Sequence, residues 1–260
     1  MVSLPTTPVL CCVAILSWSV HGLDNGLSLT PAMGWNSWIG FGCNGDNMTG
    51  SITAQIVTQT ADALVSSGLK DKGYTYVNLD DCWLTKDRDA NGDLQVDPRA
   101  FPDGLAPVIE HVHGLGLKFG LYLSCGNRTC QGRAGSWGHE EQDARYLAKL
   151  GVDYLKYDNC GVSEGATWSN PTSAYGVQTR YARMGVALNK TARPIVYSIC
   201  CPYDPQFVAS KGYWVGQPNA SQGGGNSWRI GCDMPGADFG IVLIVADVAA
   251  SWGKHSVTDY

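Results

Sequence analysis

The stretch Asp153-Tyr-Leu-Lys-Tyr-Asp-Asn-Cys160 predicts a buried β-strand that ends in charged residues. Lys156 and Asp158 stand two positions apart, and in a strand this spacing puts both side chains on the same face. A lysine and a carboxylate that share one face at the end of a strand indicate either a functional site or an ion pair at a sheet edge. The stretch alone leaves these two interpretations about equally open, so the rest of the chain has to decide between them.

Strand-like and helix-like segments alternate on both sides of this stretch. The other predicted strands are Ala32–Trp38, Tyr74–Trp83, Leu117–Leu123, Pro194–Cys200 and Ser227–Asp233. The predicted helices are Thr49–Ser67, Asp103–His113, His139–Leu150 and Ser173–Leu188. This alternation predicts βα units around a parallel sheet. No glycine-rich dinucleotide motif follows the first strand and no phosphate loop is present, which disfavours a nucleotide-binding sheet.

Residues that can carry chemistry fall at the carboxyl ends of several predicted strands. They are Trp35, Asp80, Asp81, Lys156, Asp158, Arg229 and Asp233. A (β/α)8 barrel assembles its active site from strand ends at one face, so this distribution predicts that fold class, an α/β TIM barrel.

Asp158 and Asp233 form the candidate catalytic pair. Glycoside hydrolysis needs one carboxylate against the anomeric carbon and one acid over the leaving oxygen. A lysine beside Asp158 would favour the ionised carboxylate, which suits a nucleophile. Asp80 and Asp81 are adjacent, so strand alternation would point only one inward, although twist at a strand end can let both reach a cleft. There they would accept hydrogen bonds from sugar hydroxyls, and a solvated loop or a divalent-cation site is the alternative.

The amino terminus, the sequons and the cysteines predict passage through the secretory pathway. Residues 1–22 are the predicted signal peptide, whose apolar run is too short to span a bilayer; an uncleaved anchor is the less favoured alternative. Glycosylation sequons begin at Asn47, Asn127, Asn189 and Asn219. Of the ten cysteines, two lie in the signal peptide, and the other eight suit an oxidising compartment. The net charge of -5, without a basic run, argues against nucleic acid or an anionic membrane surface as a partner.

Five motifs are shared with one family of enzymes: Leu23-Asp-Asn-Gly-Leu27, Pro31-Ala-Met-Gly-Trp-Asn-Ser-Trp38, Gly73-Tyr-Thr-Tyr-Val-Asn-Leu-Asp-Asp-Cys-Trp83, Gly138-His-Glu-Glu-Gln-Asp-Ala144 and Tyr154-Leu-Lys-Tyr-Asp-Asn-Cys160. Through them the chain resembles the α-galactosidases (melibiases) of the retaining glycoside hydrolases, a family that also contains α-N-acetylgalactosaminidases. The motifs run almost continuously from Leu23 to Asp233 and are specific in combination.

The resemblance implies a retaining mechanism, with Asp158 as the nucleophile and Asp233 as the acid/base. It further implies sugar-binding positions at Trp35, Asp80, Asp81, Tyr122, Lys156 and Arg229. It implies two disulfides, Cys43 with Cys82 and Cys130 with Cys160. The expected partner is a galactose-containing oligosaccharide or glycoconjugate, with no cofactor and no metal, and the oligomeric state stays open.

The chain also departs from the family pattern. Cys201-Pro202 stands where relatives usually carry Glu-Trp or Asn-Trp, which leaves the choice between galactose and N-acetylgalactosamine open. The pairing of Cys200 with Cys201 or with Cys232 is undecided, and so is that of Cys125.

The family motifs end at Asp233, after about six of the eight strands of the barrel. We therefore expect residues 23–233 to form a partial barrel and residues 234–260 to form a non-homologous tail, with the C-terminal β-domain absent. Within that tail, Ile241–Ala246 could be one more strand. A partial barrel makes activity of the isolated chain doubtful, and an inactive sugar-binding product is the alternative of a different class.

Overall fold

Six parallel strands form the sheet in the computed structural model of the chain, which describes residues 25–43, 51–161, 176–200, 224–229, 233 and 239–252. The strands are β1 (Gly34–Asn36), β2 (Tyr76–Asn78), β3 (Lys118–Ser124), β4 (Tyr154–Asp158), β5 (Val196–Ile199) and β6 (Ser227–Trp228). They follow one another in chain order, and each strand pairs in parallel with the next. This is the strand order of a (β/α)8 barrel, so the predicted fold class is confirmed over six strands.

A helix separates each strand from the next between β1 and β5, as crossover connections between parallel strands require. The helices are α1 (Trp38–Phe41), α2 (Ala54–Ser66), α3 (Ala106–Gly114), α4 (Glu140–Leu150), α5 (Val177–Lys190) and α6 (Phe239–Trp252). In the part of the chain that the structure describes, no helix combines the length and apolarity that crossing a membrane requires.

The two faces of the sheet differ in chemistry because successive strand residues point to opposite sides. Val77, Phe119 and Leu155 are fully buried in one apolar core that also contains side chains of α2 to α5. The alternate positions carry polar groups instead, and Tyr122 pairs in register with Lys156 on that side. The polar face therefore gathers the chemistry-bearing residues of neighbouring strands.

Helix boundaries follow local signals in the sequence. The side chain of Thr53 caps α2 by accepting a hydrogen bond of 3.3 Å from the backbone N–H three residues later. Val57, Ala61 and Leu64 then recur at helical spacing and are the buried positions of α2. Gly151 ends α4 with φ of 81°, a left-handed conformation that favours glycine.

One sequence expectation is wrong in the tail. Ile241–Ala246 is not a strand, because it lies within helix α6. A short apolar run has no periodicity that separates a strand from a helix, and this run is apolar all round. Val242, Leu243 and Ile244 are exposed to solvent by 43%, 53% and 61%.

Several predicted features lie outside the described residues. They are the signal peptide, the sequons at Asn47 and Asn219, and residues Cys201, Pro202 and Cys232. Predicted strands are also longer than the observed ones, since Ser227–Asp233 shortens to Ser227–Trp228 and Tyr74–Trp83 to Tyr76–Asn78. Asp80 and Asp81 consequently lie in the loop just beyond β2.

Candidate active site

The carboxyl ends of β2, β3 and β4 bring four of the predicted site residues together. The Lys156 ammonium donates a hydrogen bond of 2.8 Å to Asp80 Oδ2. The Tyr122 hydroxyl donates one of 2.9 Å to Asp158 Oδ2. The Lys156 Nζ also lies 5.1 Å from the centre of the Tyr122 ring, within range of a cation–π contact. These four side chains form the cluster that we call the β2–β4 cluster.

The hydrogen-bonded partner of Lys156 differs from the one that the sequence spacing indicated. Residues two apart in a strand are separated by about 6.6 Å along it, so Lys156 reaches sideways to Asp80 rather than along β4 to Asp158. Burial opposes the charged form of Lys156, yet the combined attraction of Asp80 and Asp158 raises its pKa. Lys156 therefore carries a positive charge that acts on both carboxylates.

Asp158 is held at both of its carboxylate oxygens. The backbone N–H of Asn159 donates 2.7 Å to Oδ1, while Tyr122 donates to Oδ2. Burial, with the negative charge of Asp158 adding to it, raises the pKa of the Tyr122 hydroxyl far above its ordinary value. Tyr122 thus stays a proton donor to Asp158 Oδ2.

Both disulfides that the resemblance implied are present. Cys130 and Cys160 are joined with their Cα atoms 4.9 Å apart, and Cys43 and Cys82 with theirs 5.7 Å apart. The Cys130 sulfur lies 3.3 Å from Asp158 Oδ2, so this disulfide packs directly against the candidate nucleophile. It ties the loop after β3 to the end of β4.

Both members of the Asp80–Asp81 pair point inward, and each is only 3% exposed, which excludes the solvated-loop alternative. Asp80 accepts from Lys156 and, at 2.9 Å, from the side-chain amide of Asn36. Asp81 accepts from the backbone N–H groups of Cys82 at 2.7 Å and Gln131 at 3.0 Å. Burial raises the pKa of Asp81, although these hydrogen bonds oppose it. Asp80 is therefore held by the charged side chain of Lys156, whereas Asp81 is held by backbone N–H groups of the loops.

Asn36, which the sequence analysis did not name, contacts the candidate site, whereas the predicted site residue Trp35 lies on the opposite side of β1. Trp35 stands in register with Val77, on the apolar side, and its ring meets that of Phe41 edge-on at 6.0 Å. Asn36, one position later, is on the polar side and reaches Asp80. Strand alternation within Trp35-Asn36 was the signal that could have identified Asn36.

The second group of site residues lies at the ends of β5 and β6 and consists of Cys200, Arg229 and Asp233; we call it the β5–β6 cluster. Arg229 Nη2 and Asp233 Oδ1 are 2.9 Å apart, and the Asp233 side chain is 72% exposed. Burial opposes the charge on Arg229, but contact with Cys200 and attraction to Asp233 and Asp158 raise its pKa. Arg229 therefore interacts with both carboxylates of the candidate catalytic pair.

Among the described residues, the group with ligand atoms close enough to hold a metal ion is Cys130, Asp158 and Cys160. The two cysteines are joined in a disulfide, so their sulfurs are not the thiolates that bind metals. The cluster offers a carboxylate next to a disulfide, which is a poor match for a metal centre.

The family model described as alpha galactosidase A matches residues 30–251 of the chain. The chain belongs to the alpha-galactosidase A family. The match continues beyond Asp233 and takes in most of helix α6.

Individual members of this family align well with the chain. The alpha-galactosidase of Cyamopsis tetragonoloba is 44% identical over 217 residues, which cover 81% of this chain and 45% of that protein. The alpha-galactosidase of Saccharomyces pastorianus is 49% identical over 210 residues, covering 81% of this chain and 40% of that protein. The crystal structure of alpha-galactosidase I from Mortierella vinacea superposes with a TM-score of 0.67 at 43% identity, covering 81% of this chain and 47% of that one. The chain thus spans less than half the length of each of these three relatives.

Two of the predicted glycosylation sites can be located in this alpha-galactosidase family chain. Asn127 follows β3 and Asn189 lies in the last turn of α5, and both are exposed. Their positions are accessible to a glycan, and glycosylation itself stays a prediction.

Proposed function

We propose that this chain supplies the catalytic centre of a retaining α-galactosidase, which releases terminal α-linked galactose from oligosaccharides or glycoconjugates. The observation that carries the proposal is the Asp158 carboxylate, fixed at both oxygens at the end of β4 and close to the cation of Lys156. A nucleophilic carboxylate must stay ionised and hold one orientation, and these contacts favour both properties.

In this mechanism Asp158 attacks the anomeric carbon while Asp233 donates a proton to the leaving oxygen. A covalent glycosyl-enzyme intermediate forms, and Asp233 then acts as a base that activates the water which hydrolyses it. Asp80 and Lys156 are the proposed partners of the sugar hydroxyls, because the pair offers an acceptor and a donor side by side. No cofactor is needed for these steps.

The substrate class rests on family members. An alpha-galactosidase from Saccharomyces cerevisiae that is 40% identical to this chain has been solved with raffinose, a galactose-containing oligosaccharide. The predicted signal peptide, the accessible sequons and the two disulfides support a secreted protein, or one delivered to a lysosome or vacuole.

The proposal is tested by hydrolysis of two nitrophenyl glycosides, α-galactoside and α-N-acetylgalactosaminide, by the secreted chain. We expect release of nitrophenol mainly from the galactoside, and none from a matched Asp158→Asn preparation. A preference for the N-acetyl substrate would reassign the chain to the other activity of the family. A folded chain that binds galactose without hydrolysing either substrate would support the sugar-binding alternative and overturn the proposal.

A further inference from the structure

Cys200 follows β5 on the polar face of the sheet, and among the described cysteines it forms no disulfide. Its backbone is fixed on both sides. The N–H donates 2.9 Å to the carbonyl of Tyr157 on β4, and the hydroxyl of Tyr181 on α5 donates 2.5 Å to the Cys200 carbonyl. The thiol is therefore presented from a rigid strand end, and it is not committed to the structural disulfides.

The thiol lies between a cation and a carboxylate. Arg229 Nη1 is 3.5 Å from the Cys200 sulfur. The Asp158 carboxylate acts on the same thiol from β4, and Lys156 is also coupled to it. Burial first, and then Asp158, raise the pKa of the Cys200 thiol to about 12, although Arg229 opposes this. At neutral pH the group is an S–H, which can accept from Arg229 while its proton faces Asp158.

Arg229 also contacts Asp233, the second candidate catalytic carboxylate. Its Nη2 atom lies 2.9 Å from Asp233 Oδ1. Contacts therefore connect Asp233 through Arg229 to the Cys200 thiol, and the charge of Asp158 acts on that thiol from the neighbouring strand. A retaining glycosidase needs a fixed spacing between its two carboxylates. Among the described residues, Arg229 is the partner that the exposed Asp233 side chain contacts, so this connection can set the position of Asp233 relative to β4.

We propose that the Cys200 thiol is a positioning residue that couples Arg229, and through it Asp233, to Asp158. The inference rests on the proposed function for the roles of the two carboxylates, but the coupling is a property of the folded chain that can be measured without turnover.

The first test measures the rate at which iodoacetamide labels Cys200, located by peptide mass spectrometry, between pH 8 and 10. The thiolate is the reactive form, so Asp158→Asn should raise the rate by about threefold or more by removing a negative charge. Arg229→Met should lower it by about twofold or more, because a positive charge is lost. Asp80→Asn is the matched control: it also removes a carboxylate from the polar face, and it should change the rate less.

Labelling that is insensitive to both Asp158→Asn and Arg229→Met would overturn the proposal. So would a Cys200 that cannot be labelled in the native or in the unfolded, unreduced protein, because its sulfur would then be oxidised.

The second test compares Cys200→Ala with Cys200→Ser on nitrophenyl α-galactoside. We expect the alanine variant to lose about tenfold in kcat with little change in KM, and serine to recover part of the loss because it keeps a donor and an acceptor. Cys125→Ala removes a fully buried thiol whose sulfur contacts Asn159 rather than Arg229, and its free energy of unfolding reports the cost of thiol loss to folding. An unchanged kcat and pH profile in Cys200→Ala would refute the positioning role. If the parent chain itself hydrolyses nothing, the proposed function fails, and the labelling test still decides the coupling.

Discussion

The β2–β4 cluster and the β5–β6 cluster hold their carboxylates in different ways. Asp80 is 3% exposed and accepts hydrogen bonds from Asn36 and Lys156, and Asp158 is fixed at both oxygens. Asp233 is 72% exposed and is joined to Arg229 by one ion pair that the structure describes. Among the described residues, the proposed nucleophile is therefore held by backbone and buried partners, whereas the proposed acid/base depends on one long side chain.

This difference has energetic consequences. A buried carboxylate that loses its cation is left uncompensated in a medium of low polarity, which is costly. An exposed carboxylate that loses its partner is solvated by water at little cost. The two clusters should therefore respond differently to equivalent substitutions. The first three of the following four predictions test that contrast, and the fourth concerns Asp81 in the loop beside the β2–β4 cluster.

The largest expected effect is that of Asp158→Asn on catalysis. The substitution keeps the shape and the contact with Asn159 but removes the nucleophile, so kcat on nitrophenyl α-galactoside should fall by about 10³-fold or more. Circular dichroism should show an unchanged fold. If more than about a tenth of the activity survived in a variant that is free of wild-type protein, Asp158 would not be the nucleophile.

Asp233→Asn should have a smaller and graded effect. Acid assistance matters most when the leaving group is a poor one, so we expect about a 10²-fold loss on a galactosyl oligosaccharide and a milder loss on the nitrophenyl galactoside. The comparison is made on the same preparation with both substrates. Equal losses would show that Asp233 is not the acid.

The stability of the two clusters can be compared through Lys156→Met and Arg229→Met. Lys156→Met leaves the buried Asp80 without its cation and should lower the free energy of unfolding by about 3 kcal/mol. Arg229→Met frees the exposed Asp233 and should cost less than about 1 kcal/mol. Urea denaturation of both variants measures the difference. Asp80→Asn combined with Lys156→Met should recover part of the loss; equal costs for the two single variants would remove the distinction between the clusters.

The smallest predicted effect is a slope of stability with pH. Burial raises the pKa of Asp81, so the folded chain binds this proton more tightly than the unfolded chain. Ionisation of Asp81 therefore costs stability as pH rises above 3.8, the ordinary value of this group. Relative to wild type, Asp81→Asn should gain stability as the pH rises through that range.

Asp97 provides the matched control for this slope. The hydrogen bond from Arg99 holds the pKa of Asp97 below its ordinary value, so its contribution is present above pH 3.8 and is lost as pH falls below it. Asp97→Asn should therefore lose stability relative to wild type as the pH rises. Thermal unfolding from pH 3 to 7 compares the two variants, and slopes of the same sign would contradict the difference in environment.

Much of the fold was predictable because its signals are local. Strand and helix periodicity identified β1 to β6 and helices α2 to α5, and the glycine at 151 marked the end of α4. Helices α1 and α6 were not predicted: α1 is only four residues long, and the apolar run in α6 lacks the periodicity that distinguishes a helix from a strand. The two disulfides followed from the family resemblance rather than from spacing, and the structure contains both.

The sequence by itself determined which residues of a strand share a face, because backbone alternation is a property of the segment. It placed Lys156 and Asp158 on the polar side of one strand. Only the tertiary structure decided their partners. Lys156 reaches Asp80, which is 76 residues away in sequence, Asp158 meets Tyr122, and the thiol of Cys200 lies beside Arg229. Contacts between strands depend on register and twist across the whole sheet, and no single segment carries that information.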